Sequence, residues 1–301
     1  MEIVQLASFL CVADTSSVSR AAEIVHLTQP AVTKQIQALE RELKTPLFDR
    51  TGRGVELTAA GATLRDYAGR SLALLKECQQ VITDLDTGAA GQLVIGAGAT
   101  TSIFRLPRWL QSLQTVLPGI DIVVRTGDSR EVVSLTLDRQ VELGLITTPV
   151  QHPDLAVSQL FDEEIVLVAS PLSPPTAASS PSGATLDGHT LRLPLILFPC
   201  GSGFREYLER KLAAAGIEIH VKMETDSVEA IKSFVAIGLG ASFLPFGAVA
   251  AELTGGVLQQ VQVSGLPPLH RHTAVIRRKD RRAGMAAQAL LEILQDSCVE
   301  K

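Results

Sequence analysis

The stretch that most constrains the fold is residues 18–43, which reads as two short helices joined by a tight turn. Thr28 is a favourable N-cap for the second helix, and Pro30 stands in its first turn, where a missing N–H costs nothing. Steps of four, three and four then place one apolar face along this helix, formed by Val32, Ile36, Leu39 and Leu43. The pattern predicts a helix-turn-helix.

The opposite side of the second helix is polar and carries groups that hydrogen-bond base edges and phosphates, namely Gln29, Thr33, Lys34 and Gln37. Together with Thr28 they occupy the first turns, where a recognition helix meets the major groove. An ordinary helix pair with a polar face is the alternative interpretation. A further helical segment from Glu2 to Asp14 completes a three-helix core.

Residues 50–57 place two arginines around two glycines between short extended pieces, which is typical of the hairpin wing of a winged helix. Three arginines are expected to reach the DNA backbone or a narrow minor groove, namely Arg20, Arg50 and Arg53. A plain exposed turn would also explain the pattern. Its position directly after a helix-turn-helix favours the wing.

The segment closely resembles the LysR-type transcriptional regulators. The resemblance rests on Ser19-Arg20-Ala21-Ala22, on residues 28–36 (TQPAVTKQI), on Leu39-Glu40 and on Pro46-Leu47-Phe48-Asp49-Arg50, and it extends more loosely to about residue 295. It implies a regulator that binds a pseudo-palindromic operator in double-stranded DNA. The predicted DNA-binding residues are Arg20, Thr28, Gln29, Thr33, Lys34, Gln37, Arg50 and Arg53.

A long helix capped by Thr58 is predicted to follow the headpiece. Its apolar seam alternates steps of four and three before Gly88 and Gly91 end it, through Leu64, Ala68, Ser71, Leu75, Cys78, Ile82 and Leu85. At 1.5 Å per residue the helix is ~45 Å long, too long for the headpiece to cover. The predicted self-association residues are Leu64, Ala68, Leu75, Ile82 and Leu85. The resemblance implies a homodimer or homotetramer.

From residue 92 short apolar strands alternate with helices, which predicts a parallel sheet covered on both faces. Expected helices include residues 102–117 and 129–139. Two connections, near 162–164 and 264–268, predict two lobes and a cleft like that of periplasmic binding proteins. The expected organisation is a winged helix-turn-helix domain (1–58), a linker helix (59–89) and a two-lobed α/β effector domain (90–163 with 267–301, and 164–266). Residues 171–183 are expected to form a surface insertion.

An anionic small-molecule effector is expected beyond the carboxyl ends of the strands, where hydroxyls and backbone N–H groups gather at helix starts. Plain helix capping is the alternative explanation for each hydroxyl alone. The resemblance also places inducer contacts in these regions. The predicted effector-binding residues are Thr100, Thr101, Ser102, Ser129, Thr147, Gly201, Ser202 and Thr225.

Other function classes receive little support. The formal net charge of −5 argues mildly against nucleic acid, but residues 18–55 hold six basic and four acidic side chains. The histidines and serines lie outside known catalytic motifs, so no enzyme, cofactor or metal site is expected. Without a signal-type N-terminus or a 20-residue apolar run, a cytoplasmic location is expected, and a solute-binding protein is disfavoured. Cys200 resembles, in its approximate position, the reactive cysteine of the family's peroxide-sensing members. A redox switch at Cys200 is therefore an alternative, but no second cysteine lies nearby in the sequence to resolve an oxidised thiol.

Overall fold

A computed structural model describes residues 1–51, 54–87, 91–147, 150–172, 190–263 and 265–296 of the chain. The chain divides into two compact units. The first comprises Met1–Ala89 with Asp138–Gln140, and the second comprises Ala90–Leu137 with Val141–Lys301. Most of the insertion expected at 171–183 lies outside the described residues.

The first unit contains three short helices, a hairpin and a long helix. Its elements are α1 (Ile3–Thr15), α2 (Val18–Ile24), α3 (Gln29–Leu43), β1 (Phe48–Thr51), β2 (Gly54–Leu57) and α4 (Ala59–Thr87). The hydroxyls of Ser17 and Thr28 accept N–H groups at the starts of α2 and α3, as the sequence predicts for Thr28. The core joins the apolar faces of α1, α2 and α3 to the first turns of α4, with Phe9, Val32 and Leu39 fully buried.

The second unit begins with β3 (Gln92–Ala97), α5 (Ala99–Phe104), α6 (Leu106–Val116), β4 (Asp121–Thr126), α7 (Ser129–Leu137), β5 (Leu143–Ile146) and β6 (Leu155–Ala169). It continues with β7 (Thr190–Leu197), α8 (Gly203–Ala214), β8 (Glu218–Glu224), α9 (Val228–Ala236), β9 (Ser242–Pro245) and α10 (Phe246–Thr254). Its last elements are β10 (Gln259–Val261), β11 (Leu269–Arg278) and α11 (Met285–Asp296).

The main sheet is mixed, so the expected parallel pairing holds for β3, β4 and β5 but not for the other strands of this sheet. Its strand order is β10-β6-β11-β5-β3-β4, with β9 also paired to β6. Strands β3, β4 and β5 are parallel, whereas β11 runs antiparallel to both β5 and β6. Alternating strands and helices predict parallel pairing only for strands joined by a helix, and β11 returns from the far end of the chain.

Two lobes share the long antiparallel pair β6–β11. The first lobe holds β3–β5, α5–α7 and α11, and its main core includes Ile95, Trp109, Leu113 and Leu290. The second lobe holds β7–β10 and α8–α10. One of its cores lies under α8 and another under α9 and α10. Strand β6 contributes Leu160 to the first lobe's core and Ile165 to the second's, so the lobes are joined by continuous strand.

Two helices differ from expectation. The helix predicted at 102–117 is broken at Arg105, whose backbone leaves the helical region (φ −122°, ψ −49°), so α5 and α6 are separate. Pro107, two residues further on, cannot donate an N–H to continue α5. The helix predicted to Arg139 ends at Leu137, and Arg139 itself is left-handed (φ 59°).

Candidate functional site

The polar face of α3 is presented to solvent. Gln29, Lys34 and Gln37 are exposed on this helix, as a reading surface requires. The Thr33 hydroxyl donates to the Gln29 carbonyl at 2.9 Å, and the Thr28 hydroxyl accepts the Ala31 N–H at 3.4 Å. Thr28 and Thr33 therefore already serve the helix backbone, and Gln29, Lys34 and Gln37 hold the free donors of this face.

The hairpin expected as a wing is present, with β1 and β2 antiparallel and Arg50 opposite Val55. It lies against the corner between α1 and α2, where the Val55 N–H donates to the Ser16 carbonyl at 3.3 Å. Gly54 (φ +145°) is required here, because a Cβ would lie 2.6 Å from that same oxygen. The side chain of Arg50, and Arg53 as a whole, lie outside the described residues, whereas Arg20 is exposed on α2.

Glu40 holds the start of the wing against α3, a role that sequence reasoning missed. Its Oε1 accepts the N–H groups of Leu47 at 2.8 Å and Phe48 at 3.4 Å. This carboxylate therefore ties the start of the wing to the recognition helix. The available signal was an acidic residue on the half-buried side of α3, eight residues before the first residue of β1.

The exposed apolar stripe of α4 begins later than predicted. Ala68 is only 2% exposed and packs in the headpiece core, with Leu64 partly buried against it, so Ala68 is unavailable to a second chain and its assignment is wrong. Leu75 and Ile82 are exposed, as predicted. Tyr67 and Leu74, which were not among the predicted self-association residues, are exposed as well. We define the α4 stripe as Tyr67, Leu74, Leu75 and Ile82. The side chain of Leu85 lies outside the described residues.

In the first lobe, the predicted effector residues lie at one edge of the sheet. Strands β3, β4 and β5 are parallel, so their carboxyl ends bring residues 98–102, 127–129 and 147 to the same side. The Ser129 hydroxyl accepts the Thr147 N–H at 3.2 Å, which joins two of the predicted residues directly.

Two side chains of this edge are less accessible than expected. Thr101 is only 1% exposed, so its side chain is not accessible to an effector in this structure. It lies in the first turn of α5, on the side that packs into the lobe. The Ser102 hydroxyl is buried without a hydrogen-bond partner. Thr100, the third hydroxyl-bearing residue of this segment, is half-buried.

The second lobe has an equivalent edge, where β7 and β8 run parallel. Gly201 adopts a left-handed conformation (φ +86°), and the Ser202 hydroxyl caps α8 by accepting the Arg205 N–H at 3.4 Å. The Thr225 N–H donates to the Leu197 carbonyl at 3.1 Å, and its hydroxyl accepts the Ser227 N–H at 3.3 Å. Gly201, Ser202 and Thr225 are thus brought to one edge, although both hydroxyls also act as caps.

The two edges face each other. Arg130, in the first turn of α7, donates to both carboxylate oxygens of Glu206, in the first turn of α8, at 2.7 and 2.6 Å. This ion pair joins the lobes at the helix starts that flank Ser129 and Ser202. The contact brings the start of α7, which holds Ser129, close to the start of α8, which follows Ser202.

A buried charge cluster that the sequence did not indicate adjoins Thr100. The Arg271 guanidinium donates to Glu163 Oε2 at 2.9 and 2.6 Å and to the Thr100 hydroxyl at 3.1 Å, and Arg105 donates to Glu163 Oε1 at 2.9 Å. Burial lowers the pKa of Arg271, which the Glu163 carboxylate opposes. Two cations on one carboxylate leave a net positive charge beside the hydroxyl, which favours an anion.

Comparison with known proteins decides the family. A model described as "LysR substrate binding domain" matches residues 86–299, and one described as "Bacterial regulatory helix-turn-helix protein, lysR family" matches residues 3–62. The chain belongs to the LysR family. It is a LysR-type DNA-binding transcriptional regulator with an effector-binding domain, and the expected combination of helix-turn-helix headpiece and two-lobed α/β domain is confirmed.

Individual LysR-type proteins align with almost the whole chain. It is 32% identical to a "Probable RuBisCO transcriptional regulator" of Cyanophora paradoxa, over 96% of this chain and 89% of that protein. It is 31% identical to the "HTH-type transcriptional activator CmpR" of Synechocystis sp., over 96% and 93%. The crystal structure of full-length CbnR complexed with its target DNA has a TM-score of 0.72, with 99% and 100% coverage; at 23% identity it shows the fold alone.

The other expectations for this LysR-type chain concern thiols, metals and membranes. Cys200 is exposed beside Gly201, and its backbone N–H donates to Glu224 Oε2 at 3.3 Å. Within the described ranges, no three His, Cys, Asp or Glu side chains are grouped to hold a metal ion. No helix in the described part of the chain is long and apolar enough to cross a membrane.

Proposed function

We propose that this LysR-type regulator responds to a small anionic effector bound between its two lobes. The observation that carries the proposal is the pairing of the two hydroxyl-bearing edges across the Arg130–Glu206 contact, with Arg271 touching the Thr100 hydroxyl. A carboxylate or phosphate would find hydroxyl donors, the first turns of α7 and α8, and the positive charge that Glu163 leaves unbalanced. Thr100, Ser129, Thr147, Gly201, Ser202 and Thr225 are the proposed contacts, with Ser102 nearby.

The proposed division of labour keeps the boundaries derived from the sequence. Residues 1–58 would bind DNA, 59–89 would pair two subunits, and 90–301 would bind the effector, with lobes at 90–163 plus 267–301 and at 164–266. In a homodimer or homotetramer, effector binding would shift the population of lobe arrangements and thereby the spacing of paired reading heads. The outcome on a pseudo-palindromic operator would be a change in DNA bend.

On DNA, the proposed contacts to bases or nearby phosphates are made by Gln29, Lys34 and Gln37. Their side chains are exposed, and their polar groups are not used to cap or brace the helix. Thr33 can add a methyl contact, and Thr28 can position the helix start. Arg20, Arg50 and Arg53 are proposed to hold phosphates or the minor groove. Such a switch requires binding and no chemical step, and we propose that it acts in the cytoplasm.

A thermal-shift screen of the full-length protein tests the effector site. The probes are small mono- and dicarboxylates and sugar phosphates, each present in large excess. A ligand that binds only the folded state stabilises it by ~2.7 kcal/mol at a hundred times its Kd, so at least one probe is expected to raise the unfolding midpoint. Thr100→Val should remove that rise, because it deletes the hydroxyl beside Arg271.

The matched control is Thr115→Val on α6, an exposed threonine whose hydroxyl bonds only its own helix. It should leave the rise unchanged. Absence of a shift with every anionic probe, or a shift that persists in Thr100→Val, would contradict the proposed site.

A further inference from the structure

One exposed ion pair spans the lobes away from the strands that join them. Arg130 and Glu206 are 76 positions apart in the chain, and one guanidinium nitrogen donates to both oxygens of the carboxylate. The side chains are 66% and 48% exposed, so water surrounds the contact. It connects the first turn of α7 to the first turn of α8.

Other contacts between the lobes lie near the joining strands. The Tyr207 hydroxyl of α8 donates to the His270 carbonyl of β11 at 2.5 Å. Phe104, at the end of α5, packs into the second lobe's core with Lys232 4.9 Å from its ring. Two neighbouring residues of helix α8 therefore make contacts outside the second lobe's own helices. Tyr207 contacts the joining strand β11, and Glu206 contacts the start of α7.

The neighbouring glutamates on the two helices have other hydrogen-bond partners. Glu131, the acidic neighbour of Arg130, accepts the Asp128 N–H at 2.8 Å, and on α8 Glu209 accepts from Arg205 at 2.7 Å. The hydrogen bond and charge of Glu206 raise the pKa of Arg130, with Asp128 adding to the effect. The Glu206 carboxylate makes no helix cap, because Ser202 already caps α8.

We propose that Arg130 and Glu206 form a salt-sensitive latch that sets how often the cleft stands open. An exposed ion pair contributes little free energy and is screened by salt, so it biases closure without locking it. Its loss is expected to raise the open population about two- to fivefold. The role of the latch in admitting an effector rests on the proposed function, whereas its effect on lobe closure does not.

Hydrogen–deuterium exchange of the full-length protein, without any added ligand, tests the latch. At low salt, Arg130→Gln should speed exchange in residues 127–133 and 203–209 about two- to fivefold, because opening exposes both helix starts. The charge swap Arg130→Glu with Glu206→Arg should restore protection. In the wild-type protein exchange should rise with NaCl, and in Arg130→Gln it should not.

The matched control is Arg282→Gln, an exposed arginine of the same domain outside α7 and α8, which should leave exchange at both starts unchanged. Wild-type protection in Arg130→Gln, failure of the charge swap to restore protection, or no salt response in the wild-type protein would overturn the latch. Since no effector is used, these outcomes are independent of the thermal-shift result.

Discussion

Glu163 is the residue whose surroundings differ most from what its position in the sequence suggests. It stands between two other acidic residues in an apparently polar connection, yet it is buried and paired with Arg271 and Arg105. Arg271 lies 108 positions away. No local pattern links residues so far apart, so the sequence indicated hydroxyls at this edge and not the cations behind them.

Glu163→Gln is expected to destabilise the effector domain by about 3–5 kcal/mol, because it leaves the buried Arg271 without its countercharge. Denaturant unfolding of the full-length protein measures the loss. The control Glu164→Gln changes the adjacent, exposed carboxylate and should lower stability by less than about 0.5 kcal/mol. Equal effects of the two substitutions would refute the role given to the buried ion pairs.

Gln29→Ala is expected to weaken binding to a specific operator about tenfold or more, since a bidentate base contact contributes about 1–3 kcal/mol. Binding to random DNA should hardly change, because phosphates dominate it. Competition titrations with operator and random duplexes separate the two. Gln114→Ala, an exposed glutamine on α6, serves as the control. A parallel loss on both duplexes would exclude base reading by Gln29.

At the scale of elements, features set by neighbouring residues were predicted correctly, whereas features set by packing between distant elements were not. The capping residues of α2 and α3 and the apolar positions that follow them lie close together in the sequence. The helix-turn-helix could therefore be predicted from local signals alone. Helix α10 was missed because it follows β9 without a turn, and its apolar residues continue those of the strand. Ala68 satisfied the heptad spacing of α4, but the headpiece covers it first.

Two glycines of α4 provide a test of how closely this helix meets the wing. A Cβ on Gly61 would lie 2.1 Å from the Leu47 carbonyl oxygen, whereas a Cβ on Gly69 would meet nothing within 4 Å. Gly61→Ala should cost about 1–3 kcal/mol through overpacking. Gly69→Ala should stabilise the protein by about 0.5–1 kcal/mol, because alanine favours a helix. Thermal unfolding of both variants gives the comparison, and a stabilised Gly61→Ala would be incompatible with this packing.

Leu74→Glu places a charge in the α4 stripe, where Leu74 is half exposed. If a second subunit covers the stripe, burial of this leucine contributes about 1.5–3 kcal/mol, so the dissociation constant of the dimer should rise at least tenfold. Analytical ultracentrifugation across a concentration series measures it. Lys76→Glu, two residues along on the opposite side of α4, should leave association intact. Unchanged association in Leu74→Glu would show that the stripe is not the contact.

At the scale of the whole molecule, the modest charge of one headpiece means that DNA affinity depends on two copies. Each phosphate contact contributes about −0.9 to the slope of log affinity against log salt. Lys34→Ala should therefore reduce the slope by about 2 for a dimer and by about 1 for a single subunit. Binding isotherms over a salt series decide between them, with Lys211→Ala, in the second lobe, as the unchanged control.

The place of β11 between β5 and β6 has a consequence for synthesis on the ribosome. Both neighbouring strands are completed about a hundred residues or more before β11 begins. Each therefore waits with an unsatisfied hydrogen-bonding edge while the intervening lobe is translated. At about 5–20 residues per second that wait lasts several seconds. The lobe that is begun first is thus finished last, and nascent chains are most prone to aggregate during that interval.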